Sequence, residues 1–160
     1  MAEAKQITTG GVTLVGGDHY RWLLDQTRTL HARQGNVLDW DALAEELEAM
    51  AAAEKRELKR RLRNLLFHLL KWHYQPEHKT NSWRRSINNA RDAIDDLLKD
   101  SPSLVAELSL SLAEMYLRAR RDAAAITGLA EQTFPDVCPW TSEAVRDPEF
   151  WPDPEPPQNS

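Results

Sequence analysis

Cysteine is almost absent from this chain, with Cys138 alone among 160 residues. One thiol cannot close an intrachain disulfide, nor can it supply a cysteine-rich zinc site. Glycine is also sparse: after Gly17 only Gly35 and Gly128 remain. That leaves no phosphate-cradling glycine loop and no G-x-S-x-G nucleophile turn. No apolar run approaches the ~20 residues of a membrane-spanning helix. The opening MAEAKQITTGGVTLVGG lacks the basic and apolar regions of a signal peptide, so a reducing cytoplasm is the expected location.

What is present suits an ordinary water-facing domain. Hydrophobic residues make up 41% of the chain and charged residues 28%, enough apolar material for a core without a disulfide or metal staple. The net charge of −5 argues against a protein that coats nucleic acid over its whole surface. By length, one domain is expected. Residues 1–17 read as a flexible tail, 18–146 as a single helical domain, and 147–160 as a proline-rich tail.

Helical periodicity dominates from residue 18 onward. Asp18 can cap a first helix with Tyr20, Leu23, Leu24, Thr27, Leu30 and His31 on one face, ended by Gly35. Asp39 caps a second helix that meets no breaker until Pro76. Spanning about 41–74, it would be roughly 50 Å long, with room for a kink in the alanine-rich stretch 49–53. Leu58, Leu62, Leu65, Leu69 and Trp72 step by four and three, and Leu66, Leu70 and His73 widen that stripe into a core-facing surface. Asn81 or Ser82 should cap a third helix carrying Trp83, Ile87, Ala90, Ile94 and Leu97. Ser101-Pro102 begins a fourth, which buries Leu104, Leu108, Leu112, Met115, Ala119 and Ala123 and stops at Gly128. Thr141 can cap one short final helix. No strand pattern competes. The expected fold is all-α: a bundle of four main helices with a long central helix, a short C-terminal helix and irregular N- and C-terminal tails.

Several blocks resemble a known family. They are Asp18-His19-Tyr20-Arg21-Trp22-Leu23-Leu24, Leu38-Asp39, and Ala44-Glu45-Glu46-Leu47-Glu48-Ala49-Met50. The densest runs from His68-Leu69-Leu70-Lys71-Trp72-His73-Tyr74-Gln75-Pro76 to Ser82-Trp83. Ser101-Pro102-Ser103-Leu104, Thr127-Gly128-Leu129, Phe134-Pro135 and Cys138-Pro139-Trp140 complete the set. In order and spacing, over about residues 18–152, the chain resembles the bacterial family catalogued as domain of unknown function twenty-nine. The resemblance implies a soluble all-helical domain and carries no activity, substrate or cofactor. The loop Glu77-His78-Lys79-Thr80-Asn81 departs from the arginine-richer loop of relatives, which implies weaker anion binding there.

Two constellations stand out from this frame. Between Gln34 and Glu54 there are six acids and no Lys or Arg, whereas from Lys55 to Arg91 eleven bases face two acids. A basic segment can grip phosphates, with Arg60, Arg61, Arg63, Arg84 and Arg85 as the anion-binding candidates. It can equally be a solvated face that complements acids on neighbouring helices or on a second copy. Aromatic groups are not interleaved with Lys55–Arg63, which disfavours single-strand nucleic-acid binding. The second constellation is a polar stripe, Glu54, Glu57, Arg61, Asn64, His68 and Lys71, recurring every three or four residues beside the apolar face. His68 there is a general base, an anion ligand or a structural histidine.

Metal chemistry has no support. His68 and His73 lie about 140° apart around a helix, and neither HExxH nor a repeated Glu-x-x-His occurs. No metal or cofactor is expected. Cys138, between Val137 and Pro139, reads as a packing residue. Of the six tryptophans, Trp72 and Trp83 fall on core stripes, while Trp22 and Trp40 lie off them and are either candidate interface anchors or covered by the C-terminal tail. The reading favoured is a non-enzymatic interaction module, a homo-oligomer or the binder of a small protein partner, with no membrane association. Anion or nucleic-acid binding through residues 55–91 is the alternative, and an enzyme centred on His68, with Glu54 and Arg61, is the further one.

Overall fold

The apolar spacing is realised as helix almost throughout. A computed structural model describes residues 7–9, 12–14 and 26–153 of the chain. It divides into two units, 1–54 and 55–160.

In the first unit, β1 (Ile7–Thr9) and β2 (Val12–Leu14) pair antiparallel, with Ile7 opposite Leu14. The sequence reading overlooked this short hairpin. Its signal is ITTGGVTL, a Gly-Gly pair between β-branched runs. A helical segment, α1, covers 26–31. Asp18, Tyr20, Trp22, Leu23 and Leu24, expected at its start, lie outside the described residues. Gly35 does not end α1 as expected. Arg33 takes the left-handed conformation (φ 54°), and the Gln34 amide donates to the Thr29 carbonyl at 3.1 Å. Leu30 and His31, placed in the last turn, are exposed. Asp39 then caps α2 (Trp40–Tyr74) as its chemistry requires, Oδ1 accepting from the Ala42 amide at 3.0 Å. The chain stays helical through the alanine-rich residues 49–53.

The second unit is a helical bundle around the C-terminal half of α2. It adds α3 (Asn81–Asp100), α4 (Val105–Thr127) and the short α5 (Ser142–Arg146). Leu58, Leu62, Leu65, Leu66, Leu69 and Leu70 are fully buried, against Ile87 and Ile94 of α3 and Leu108, Met115 and Tyr116 of α4. The all-α fold with a long central helix and a short C-terminal helix therefore stands. Details of the caps differ. Thr80, not Asn81 or Ser82, caps α3, because its extended backbone lets Oγ1 accept from the Trp83 amide at 3.2 Å. Pro102 opens a 3-10 turn, Pro102–Leu104, that leads into α4. Gly128 ends α4 at φ 72°, and Thr141 caps α5 through the Ala144 amide.

The segment after α5 is irregular but fastened. Arg91, buried in α3, donates to the carbonyls of Val145 (2.9 Å), Pro148 (3.4 Å) and Phe150 (2.5 Å). Trp151 then lies against Trp72, ring centroids 5.0 Å apart. Trp72 is buried as its stripe predicts, while Trp83 is only partly covered and carries Lys71 Nζ 4.3 Å over its ring.

Two stability outcomes follow from this packing. Trp72→Ala should lower unfolding free energy by about 3–5 kcal/mol through cavity formation, read by chemical denaturation; an unchanged midpoint contradicts the burial. Gly128→Ala should cost about 1 kcal/mol, purely conformational, because no atom lies within 4 Å of the added Cβ.

Candidate ligand-binding cleft

The polar stripe beside the leucine face is where α2 can meet a ligand, because its side chains flank the core without belonging to it. Three of the six expected members, Arg61, Asn64 and His68, line one cleft of about 360 Å³. Arg60 joins them from α2, and Ser86, Asn89, Ala90 and Ala93 of α3 form the opposite wall. The two alanines keep that wall low, which is what opens the space between helices.

Glu57 does not line the cleft but organises it. Arg60 donates to both of its carboxylate oxygens, Nε to Oε2 at 2.8 Å and Nη2 to Oε1 at 2.7 Å. Arg61 Nε donates to Oε1 at 2.7 Å, while Arg61 Nη1 donates to the Ala93 carbonyl of α3. The bonds from Arg60 and then Arg61 hold the Glu57 carboxyl down at about 2. Two guanidinium groups therefore share one carboxylate, and one positive charge at the cleft mouth is left uncompensated by it. His68 is half-buried, with its ring edge-on to Phe67 at 5.1 Å. Burial, helped by the nearby Lys71 charge, pushes its pKa below the ordinary histidine value of 6.5. Near neutral pH it is an uncharged imidazole, able to donate at one nitrogen and accept at the other.

The other members of the stripe lie elsewhere. Glu54 is an exposed residue at the end of the first unit. Lys71 stands over the rings of Phe67 and Trp83. The five arginines proposed for anion binding do not converge. Arg63 is held by Asp122 of α4 in a two-pronged pair at 2.6 and 2.7 Å. Arg84 rests on Trp151 and Trp72, 4.8 and 5.8 Å from their ring centroids, and Arg85 is exposed on α3.

Most of the basic surplus is used inside the second unit. Lys55 and Lys59 reach Glu107 and Glu114 of α4, each at 3.4 Å, and Lys79 reaches Asp153 at 2.9 Å. Among the described residues, no three His, Cys, Asp or Glu side chains gather to hold a metal ion. Cys138 is half-buried, its thiol bonded to the Trp140 carbonyl at 3.4 Å and pushed up by burial. The sequence reading missed the α3 wall. Its signal was the row Ser82, Ser86, Asn89 and Ala93, small and polar at helical spacing.

The depressed His68 pKa has a stability consequence. Its neutral form is preferred in the folded state, so the unfolded chain binds the proton more readily. Stability from this residue is complete above the unfolded histidine value and is lost as pH falls below it through the folded pKa. A titration followed by NMR should place the His68 midpoint below 6.5; a midpoint at or above it contradicts the half-buried placement.

The sequence profile of the family described as Domain of unknown function DUF29 matches residues 15–151. No curated protein and no solved structure matches the chain.

Proposed function

Since the chain belongs to the DUF29 family, whose description names no activity, we propose from the cleft itself that the protein is a non-enzymatic binding module for an anionic group. The observation that carries this reading is the meeting of Arg60, Arg61, Asn64, His68, Ser86 and Asn89 around one space of about 360 Å³. That volume suits a small ligand or one functional group of a larger partner. A planar guanidinium fixed by Glu57 and Ala93 presents its other N–H groups in a set direction, which suits phosphate or carboxylate oxygens. Asn64, Asn89, Ser86 and neutral His68 add donors without adding charge.

Binding is favoured over catalysis by the same geometry. Glu57, at about 2, stays ionised near neutral pH and carries no proton to exchange. The fate of the basic segment weighs against nucleic acid: Arg63, Lys55 and Lys59 are committed to acids of α4. Isothermal titration with inorganic phosphate should give one site. Affinity for sulfate, an anion that does not itself titrate in this range, should rise as pH falls, because an anion stabilises protonated His68. His68→Gln should remove that pH dependence, and Arg61→Gln should weaken binding by about tenfold or more, the ~1.4 kcal/mol scale of a lost charged hydrogen bond. Unaltered phosphate binding in a folded Arg61→Gln protein would exclude the cleft.

A second reading, association with another protein or a second copy, rests on a separate surface. Trp40, Leu47 and Met50 are exposed by 60%, 58% and 56%. With Leu43 they step by three, four and three along the acidic start of α2, a seam typical of helix pairing. Acidic residues 34–54 of one copy would complement basic residues of another, so association should weaken with salt. Sedimentation velocity should show concentration-dependent association that Leu47→Glu abolishes. A monomer at every concentration and ionic strength would rule out self-association.

A further inference from the structure

The α2/α3 cleft has a neighbour. A second cleft, of about 500 Å³, lies between α2 and α4 and is lined by Arg60, Arg63, Asn64, Phe67, Asp122, Ala125 and Ile126. Arg60 and Asn64 belong to both clefts, and being four residues apart they form a single low ridge between them. The two sides of that ridge differ in chemistry. On one side stand Arg61, His68, Ser86 and Asn89, a wall of hydrogen-bond donors with a surplus positive charge. On the other stand Phe67, Ala125 and the 68% exposed Ile126. Apart from the shared Arg60, the charges on that side cancel, because Arg63 is bound by Asp122 at 2.6 and 2.7 Å. Arg60 is the one cation this side shares with the anion cleft, whereas an apolar group would cover Ile126 and the exposed part of Phe67.

We propose that the ligand is an amphiphilic anion: a charged head in the α2/α3 cleft and an apolar body crossing the Arg60–Asn64 ridge onto Phe67, Ala125 and Ile126. This rests on the anion-binding reading above and adds the class of molecule. The body must reach from one flank of α2 to the other, roughly the 10 Å width of a helix with its side chains. A medium alkyl chain or a fused aromatic ring meets that length, and the methylene stem of Arg60, whose side chain is 70% exposed, can lie along it.

The test compares inorganic phosphate with octyl phosphate, the latter below its micellar concentration, by isothermal titration on the full chain. Octyl phosphate should bind at least tenfold more tightly than phosphate, with one site. Ile126→Asp, at an exposed position that the fold tolerates, should remove that gain. Val137→Asp, also exposed and outside both clefts, should keep it. Octyl phosphate binding no tighter than phosphate, or a gain that survives Ile126→Asp, overturns the amphiphile and leaves anion binding standing. Failure of both compounds to bind overturns both readings.

Discussion

One face of one helix governs this structure. Leu58, Leu62, Leu65, Leu66, Leu69 and Leu70 are fully buried between α3 and α4, and each contributes about 2 kcal/mol by removal from water. Surface ion pairs such as Lys55–Glu107 or Arg60–Glu57 contribute about 0–1 kcal/mol apiece. The second unit is therefore held by its leucines, and its surface ion pairs add little to that. Because a helix repeats every 3.6 residues, burying that stripe forces Arg60, Asn64 and His68 to its margins, facing the gaps between helices.

The charge at those gaps is set by who pairs with whom. Across the α2/α4 side, acids of α4 neutralise Lys55, Lys59 and Arg63. Across the α2/α3 side Arg61 bonds instead to the Ala93 carbonyl, and Glu57 is divided between two arginines. The same helix thus presents a neutral flank and a cationic one. The asymmetry is local, and so it is compatible with a net charge of −5 over the whole chain. Arg91 has a different task. Its bonds to three backbone carbonyls tie down the irregular end that places Trp151 over Trp72.

Much of this was legible from residue spacing alone. The leucine stripe, the Asp39 and Thr141 caps and the stop at Gly128 are local, and local rules found them. So was the row of Arg61, Asn64 and His68, since periodicity fixes which side chains share a face. Periodicity does not say what packs opposite. The α3 wall of Ser86 and Asn89 is a tertiary fact, as is the pairing of Arg63 with Asp122 across 59 positions. The five arginines looked like one basic cluster only because the sequence cannot show three of them diverging. Trp83 and Leu97 were placed a little too deep for a related reason: small drifts in helix phase move Leu98 inward and leave Leu97 half-covered.

The central claim is that a fixed guanidinium and a neutral imidazole on α2 face donors of α3 to receive an anion. Its most direct test is a titration of ¹⁵N-labelled protein with inorganic phosphate, following side-chain and backbone NMR signals. The account predicts saturable shifts confined to Arg60, Arg61, Asn64, His68, Ser86 and Asn89. Shifts spread over exposed bases such as Arg56 and Arg85, or none that saturate, would contradict it.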